Sequence, residues 1–160
     1  MIRKAKRLDN IPPYLFAEID KKKEEAVKRG VKVLSLGIGD PDLPTPPHVV
    51  SALYESAKIV SNQKYPPYEG TKEFRKAVSD WYEKRFNVTL DPEREVLTLI
   101  GSKEGIAHIF LAFVDPGDIA LIPDPGYPVY KVATILAGGI PYTFPLKPDT
   151  YLPDFSSIPE

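Results

Sequence analysis

At 160 residues with 42% hydrophobic content, the chain has material for one core of ordinary domain size and too little for two full domains. A formal net charge of -1 gives no broad attraction to nucleic acid or to an anionic membrane, and the absence of cysteine excludes disulfides, thiol nucleophiles and cysteine-held zinc. No apolar run approaches the ~20 residues that cross a bilayer, and no apolar segment follows the basic N-terminus as in a secretory signal, so a cytoplasmic protein is expected.

Residues 1–13 are predicted as an extended arm, since Pro12 and Pro13 lock a stretched backbone. Residues 14–29 carry apolar side chains at Leu15, Ile19, Ala26 and Val27 and end at Gly30, the pattern of a surface helix with a glycine stop. Basic residues gather at 3–7 and 21–23; acidic residues follow the second group at once, so both read as solvated surface. Residues 31–36 suit a short strand, and 37–42 a turn-rich loop whose glycines permit either a tight turn or a close backbone approach to a ligand. Asp42 stands where the last glycine of G-x-G-x-x-G would fall, which disfavours a dinucleotide site.

Thr45 and Pro46 open a helix to about Ala57, with Val49, Val50, Leu53 and Tyr54 facing inward. The irregular loop 65–70 carries Tyr65 and Tyr68, either packed on the neighbouring prolines or offered to a ligand. Gly70 or Thr71 then caps an amphipathic helix over 72–85, and its stripe of Phe74, Val78, Trp81, Tyr82 and Phe86 is expected to pack into the core.

Residues 95–130 organise the rest. The apolar, β-branched run 95–100 has strand length and stops at Gly101. Ser102 is a natural N-cap, and Glu104 puts negative charge in the first turn of a helix with Ile106, Ile109, Phe110 and Phe113 on its apolar face. A strand that ends in Gly-Ser at a helix N-terminus offers free backbone N–H groups to an anion, most simply a phosphate. A turn at 115–118 leads to a short buried strand, 119–122, and then to a proline-rich loop that presents Tyr127 at the same sheet edge. A helix to about Ala137, a stop at Gly138 and Gly139, and a strand over 140–145 follow, before a polar, proline-rich segment, 147–160, anchored by Tyr151 and Phe155. Strands alternating with helices give an α/β fold with a mostly parallel sheet flanked by helices. The chain ends where another strand is expected, so that sheet is predicted to be incomplete.

The common hydrolytic constellations are missing. His48 and His108 are far apart and outside any H-x-x-x-H spacing, no G-x-S-x-G elbow occurs, and Gly101, Ser102 and Lys103 do not stand in Walker order. What survives is a phosphate site without nucleotide machinery, beside a ring able to stack on a planar ligand. Pyridoxal 5'-phosphate is the simplest cofactor to fit both.

Four motifs in order carry a resemblance over essentially the whole chain: Leu36-Gly-Ile-Gly-Asp-Pro-Asp42, Tyr65 with Gly70 five residues on, Gly101-Ser-Lys-Glu104, and Asp124-Pro-Gly-Tyr-Pro-Val-Tyr130. Together they resemble the N-terminal part of the fold-type I, pyridoxal-phosphate-dependent aminotransferases of the aspartate aminotransferase superfamily. Residues 12–20 and 99–108 are similar to the LL-diaminopimelate aminotransferase subfamily. The resemblance implies residues 1–45 as arm and small-domain segment and 46–160 as the first part of the cofactor-binding large domain. It places Ser102 and Lys103 at the phosphate cup and Tyr127 on the pyridine face. It puts Tyr65, or alternatively Tyr68, where a hydroxyl reaches the phosphate of the neighbouring subunit, so a homodimer with a shared site is expected. Tyr14, Gly39, Lys103 and Tyr127 fall at positions that meet the substrate.

In such enzymes a Schiff-base lysine shuttles the proton, an aspartate holds the pyridine nitrogen and an arginine clamps the substrate carboxylate. All three are expected downstream of Glu160, and Lys103 would meet the wrong end of the cofactor to be that lysine. The implied activity is transfer of an amino group from LL-2,6-diaminopimelate to 2-oxoglutarate in lysine biosynthesis, with the 160-residue chain inactive alone. Two rivals stay open at this stage: a noncatalytic binding or assembly module of the same fold, and a pyridoxal-phosphate-dependent lyase or synthase.

Overall fold

A computed structural model describes residues 3–37 and 39–159. Met1 and Ile2 of the predicted arm, Ile38 of the glycine loop and Glu160 of the tail lie outside the described residues. The chain divides into two compact units, residues 1–38 with 101–160 and residues 39–100.

The first unit is built around a strand–helix–strand crossover. Helix α1 spans Leu15–Lys28, α4 Ser102–Phe113, strand β1 Ile119–Asp124, helix α5 Pro128–Ala137 and strand β2 Ile140–Pro145. The two strands pair in parallel from Ile119 opposite Ile140 to Asp124 opposite Pro145. Parallel neighbours need a crossover, and α5 supplies it, starting on Pro128 and stopping at Gly138 in the left-handed region at φ 93°. Ile122, Phe144, Ala133 and Ile135 form the buried core. Each large apolar side chain removed from water there contributes about 1.5–3 kcal/mol. Buried Thr134 adds no unmet polar group, because its hydroxyl donates to the Tyr130 carbonyl at 2.8 Å. Phe155 of the tail packs on Phe144 with ring centroids 5.8 Å apart, while Tyr151 stays exposed.

In the second unit, helix α2 spans Pro47–Ala57 and helix α3 Lys72–Phe86. Thr71 is the α3 cap, its hydroxyl accepting from the Phe74 N–H at 3.3 Å. The buried side chains belong to Arg75 and Ser79. Arg75 donates to the Pro92 carbonyl at 2.6 Å and reaches Glu93 at 3.5 Å.

The α/β class and the parallel pairing are those expected, and several local expectations are corrected. Residues 31–36 and 95–100 form no strand: they have no ladder partner among the described residues, and propensity alone does not make a sheet. Strand β1 is buried only at Ile122, with Ile119 and Leu121 exposed, because one face has no covering element among the described residues. The arm is not wholly extended. A 3-10 turn at Lys6–Asn10 lets Arg7 donate to the Leu136 carbonyl at 2.9 Å, a cation at the C-terminal end of α5. Val49, Val50, Leu53 and Tyr54 of α2 and Phe74 of α3 are exposed, and Trp81, Tyr82 and Phe86 pack on one another rather than into a core.

Candidate functional site

The site is assembled in the first unit, from the start of α4, the loop after β1 and the entry to α1. Gly101 is the N-cap of α4 and Ser102 its first helical residue, a correction to the expected serine cap. The reason is local: the first turn closes on the Gly101 carbonyl, which accepts from the Glu104 N–H at 3.1 Å. No side chain caps this end, so the leading N–H groups at Ser102 and Lys103 keep their capacity for an anion.

Tyr127 is the N-cap of α5, three residues past the end of β1. Gly126 makes this placement possible, since a side chain there would run into the Pro123 carbonyl. The Tyr127 ring is held edge-on by Tyr130 at 5.9 Å and 77°. Tyr14, the N-cap of α1, is tilted against Phe16 at 5.5 Å.

Between these two rings stands the Lys103 ammonium, 5.2 Å from the Tyr127 centroid and 5.7 Å from that of Tyr14. Both distances are at the outer reach of a cation–π contact. Hydrogen bonding to Tyr127, followed by electrostatic interaction with Tyr127 and then Tyr14, raises the Lys103 pKa above the ordinary lysine value. The exposed side chain therefore stays cationic at neutral and mildly alkaline pH. Beside the cluster lies a cavity of about 510 Å³, lined by Pro12, Tyr14, Ile122, Tyr127, Lys131 and Thr143 among others. It sits against the C-terminal ends of the strands, where ligands bind in parallel sheets. Ser102 and Lys103 are not among its lining residues.

The structure thus brings Tyr14, Lys103 and Tyr127 together, with Ser102 adjacent to Lys103 in the same helical turn. Gly39 and Tyr65 belong to the other unit. Gly39 has open space where a side chain would stand, and Tyr65 and Tyr68 are fully exposed. In chemical terms the cluster offers backbone donors and a fixed cation to an anionic group, and an aromatic face to a planar one.

The sequence model of the family described as aminotransferase class I and II matches residues 31–160. The chain belongs to that family. Among curated proteins, this aminotransferase chain is 61% identical over 155 residues to the LL-diaminopimelate aminotransferase of Aquifex aeolicus, covering 96% of the chain and 40% of the relative. It is 57% identical over 159 residues to the protein of the same name from Moorella thermoacetica, covering 99% and 41%. Among solved structures, the substrate-bound BacF of Bacillus subtilis superposes with a TM-score of 0.88 at 36% identity, over 99% of this chain and 41% of that one. A probable N-succinyldiaminopimelate aminotransferase from Thermus thermophilus gives 0.81 at 38% identity, over 92% and 40%. The chain therefore spans about 40% of the length of the curated relatives it matches.

The residue that the sequence expectations missed is Arg75, buried at 1% exposure. A signal was present: Arg75 and Ser79 continue the stripe of Tyr82 and Phe86 at spacings of four, three and four.

Proposed function

We propose that this chain is the N-terminal part of a pyridoxal-phosphate-dependent aminotransferase that moves an amino group between LL-2,6-diaminopimelate and 2-oxoglutarate in lysine biosynthesis. The observation that carries the reading is the grouping of Tyr14, Lys103 and Tyr127 at the uncapped start of α4. The substrate pair rests on likeness to relatives named for LL-diaminopimelate. Pyridoxal phosphate is the family's usual cofactor, and the donor set fits it: backbone N–H groups and a cation for the phosphate, a ring for the heterocycle.

In this reading Ser102 and Lys103 hold the phosphate and Tyr127 lies on the pyridine face. Tyr65 of one subunit reaches the phosphate held by the other in a homodimer. Gly39 meets the substrate carboxylate, Tyr14 closes the substrate side, and Lys103 and Tyr127 face the substrate as well. The bound cofactor supplies an electron sink for the carbanion formed at the substrate Cα. Alone, the 160-residue chain is inactive, because the lysine that holds the cofactor covalently is not among these side chains. The intact enzyme works in the cytoplasm.

Replacing Tyr127 with Ala in the intact enzyme is expected to weaken cofactor binding by about 1–3 kcal/mol, the scale of one aromatic stack with its buried area. Absorbance titration of the apoenzyme with pyridoxal phosphate measures it. An unchanged affinity would remove the stacking role and with it the site.

A further inference from the structure

The segment that carries Tyr65 and Tyr68 is open to solvent, the two residues at 102% and 104% exposure. It ends in a tightly built corner. Gly70 is buried, sits at φ 92°, and donates its N–H to the Pro67 carbonyl at 2.9 Å. A side chain at Gly70 would collide with that of Thr98. The Thr98 N–H donates to the Glu69 carbonyl at 3.1 Å, and one residue further on Thr71 caps α3.

Arg75 reaches this corner from inside α3. One guanidinium nitrogen donates to the Pro92 carbonyl at 2.6 Å; another lies 3.5 Å from the Glu93 carboxylate and 4.0 Å from that of Glu69. Its Nε is buried without a partner. Burying a guanidinium is a poor route to stability, since an apolar side chain of similar volume often serves as well. A planar fork supplies direction, tying groups from separate segments to one geometry.

We infer that Arg75 is a positioning residue: by fixing Glu69 and the turn at 92–93 it sets the Gly70 corner, and so the direction in which Tyr65 is presented to the cofactor phosphate. The inference rests on the role proposed above for Tyr65. Arg75 touches neither cofactor nor substrate in this scheme.

The test uses the intact enzyme and two ligands, pyridoxal phosphate and unphosphorylated pyridoxal. Arg75→Lys keeps the charge and loses the fork. It is expected to weaken pyridoxal phosphate about tenfold, on the scale of one charge-assisted hydrogen bond, and to leave pyridoxal unchanged. Tyr65→Phe should do the same, and the double variant should bind no more weakly than either single one. Equal weakening of both ligands, or losses that multiply in the double variant, would reduce Arg75 to a structural support. Should Tyr65→Phe alone leave phosphate affinity intact, the role of Tyr65 fails, and positioning is judged on the corner itself. Faster hydrogen exchange at the Thr98 amide and faster proteolysis at 65–68 in Arg75→Lys then support it, and unchanged rates overturn it. Where Arg75→Lys does not fold, Glu69→Gln, which alters a half-exposed partner, takes its place with the same selective loss expected and the same outcomes against it.

Discussion

In the first unit the buried side chains are Ile122, Ala133, Ile135 and Phe144, with Thr134 bonded inside its own helix; in residues 39–100 they are Arg75 and Ser79. The strand–helix–strand unit closes on apolar area, which is non-directional and tolerant of small shifts. Residues 39–100 close on a guanidinium, a capped helix and a glycine corner, all of which demand geometry. Their large apolar side chains, Leu53, Tyr54 and Trp81 among them, are exposed. One short segment of sequence therefore holds two modes of cohesion, and substitutions of similar size should act differently in each.

The largest expected effect is in the apolar unit. Phe144→Ala removes the buried β2 ring that packs against Phe155, and should cost about 3–5 kcal/mol by lost transfer energy and the cavity left behind. Hydrogen exchange read region by region checks it. Amides of β1, β2 and α5 should lose protection while those of α3 keep theirs, and equal loss in both regions would erase the distinction. Arg75→Ala comes next, at about 2–4 kcal/mol, from the cavity and from a Pro92 carbonyl left without its donor. Denaturant unfolding followed by the Trp81 fluorescence reads it, and a loss under about 0.5 kcal/mol would mean that the polar closure does not hold the unit.

How much of this was legible beforehand differs between the same two regions. Two helix ends were, because their signals are local: Thr71 before α3 and Gly138 after α5 act through their own backbone neighbours, whereas the start of α5 at Pro128 lies inside the stretch expected as a proline-rich loop. The parallel pairing of β1 and β2 followed from the helix between them. Residues 31–36 and 95–100 are at least as rich in β-branched side chains as the strands that formed, yet a ladder needs a second strand, which composition cannot supply. At the site, the capping logic located the start of α4 to within one residue, whereas the pairing of Lys103 with Tyr14 joins positions 89 apart in the chain and no local signal encodes it. Arg75 was passed over because a charged residue in an amphipathic helix ordinarily marks the wet face; burial of a guanidinium becomes visible only once the carbonyl of Pro92 is seen beside it.

The smallest effect is the most diagnostic, because pattern and structure disagree there. By spacing, Trp81 lies on the apolar face of α3 and should behave as core, where truncation to Ala costs about 3–5 kcal/mol. In the structure it is 53% exposed and meets Tyr82 and Phe86 edge-on at 5.4 and 5.1 Å. Contacts of that kind between half-exposed rings contribute about 0.5–1.5 kcal/mol beyond area. Since the indole already lies half in water, Trp81→Ala in the 160-residue chain should cost about 1–2 kcal/mol. Thermal unfolding followed by circular dichroism measures it without the indole probe. A loss of about 4 kcal/mol would show that the α3 aromatics are covered in solution, and residues 39–100 would then close on apolar area as the first unit does.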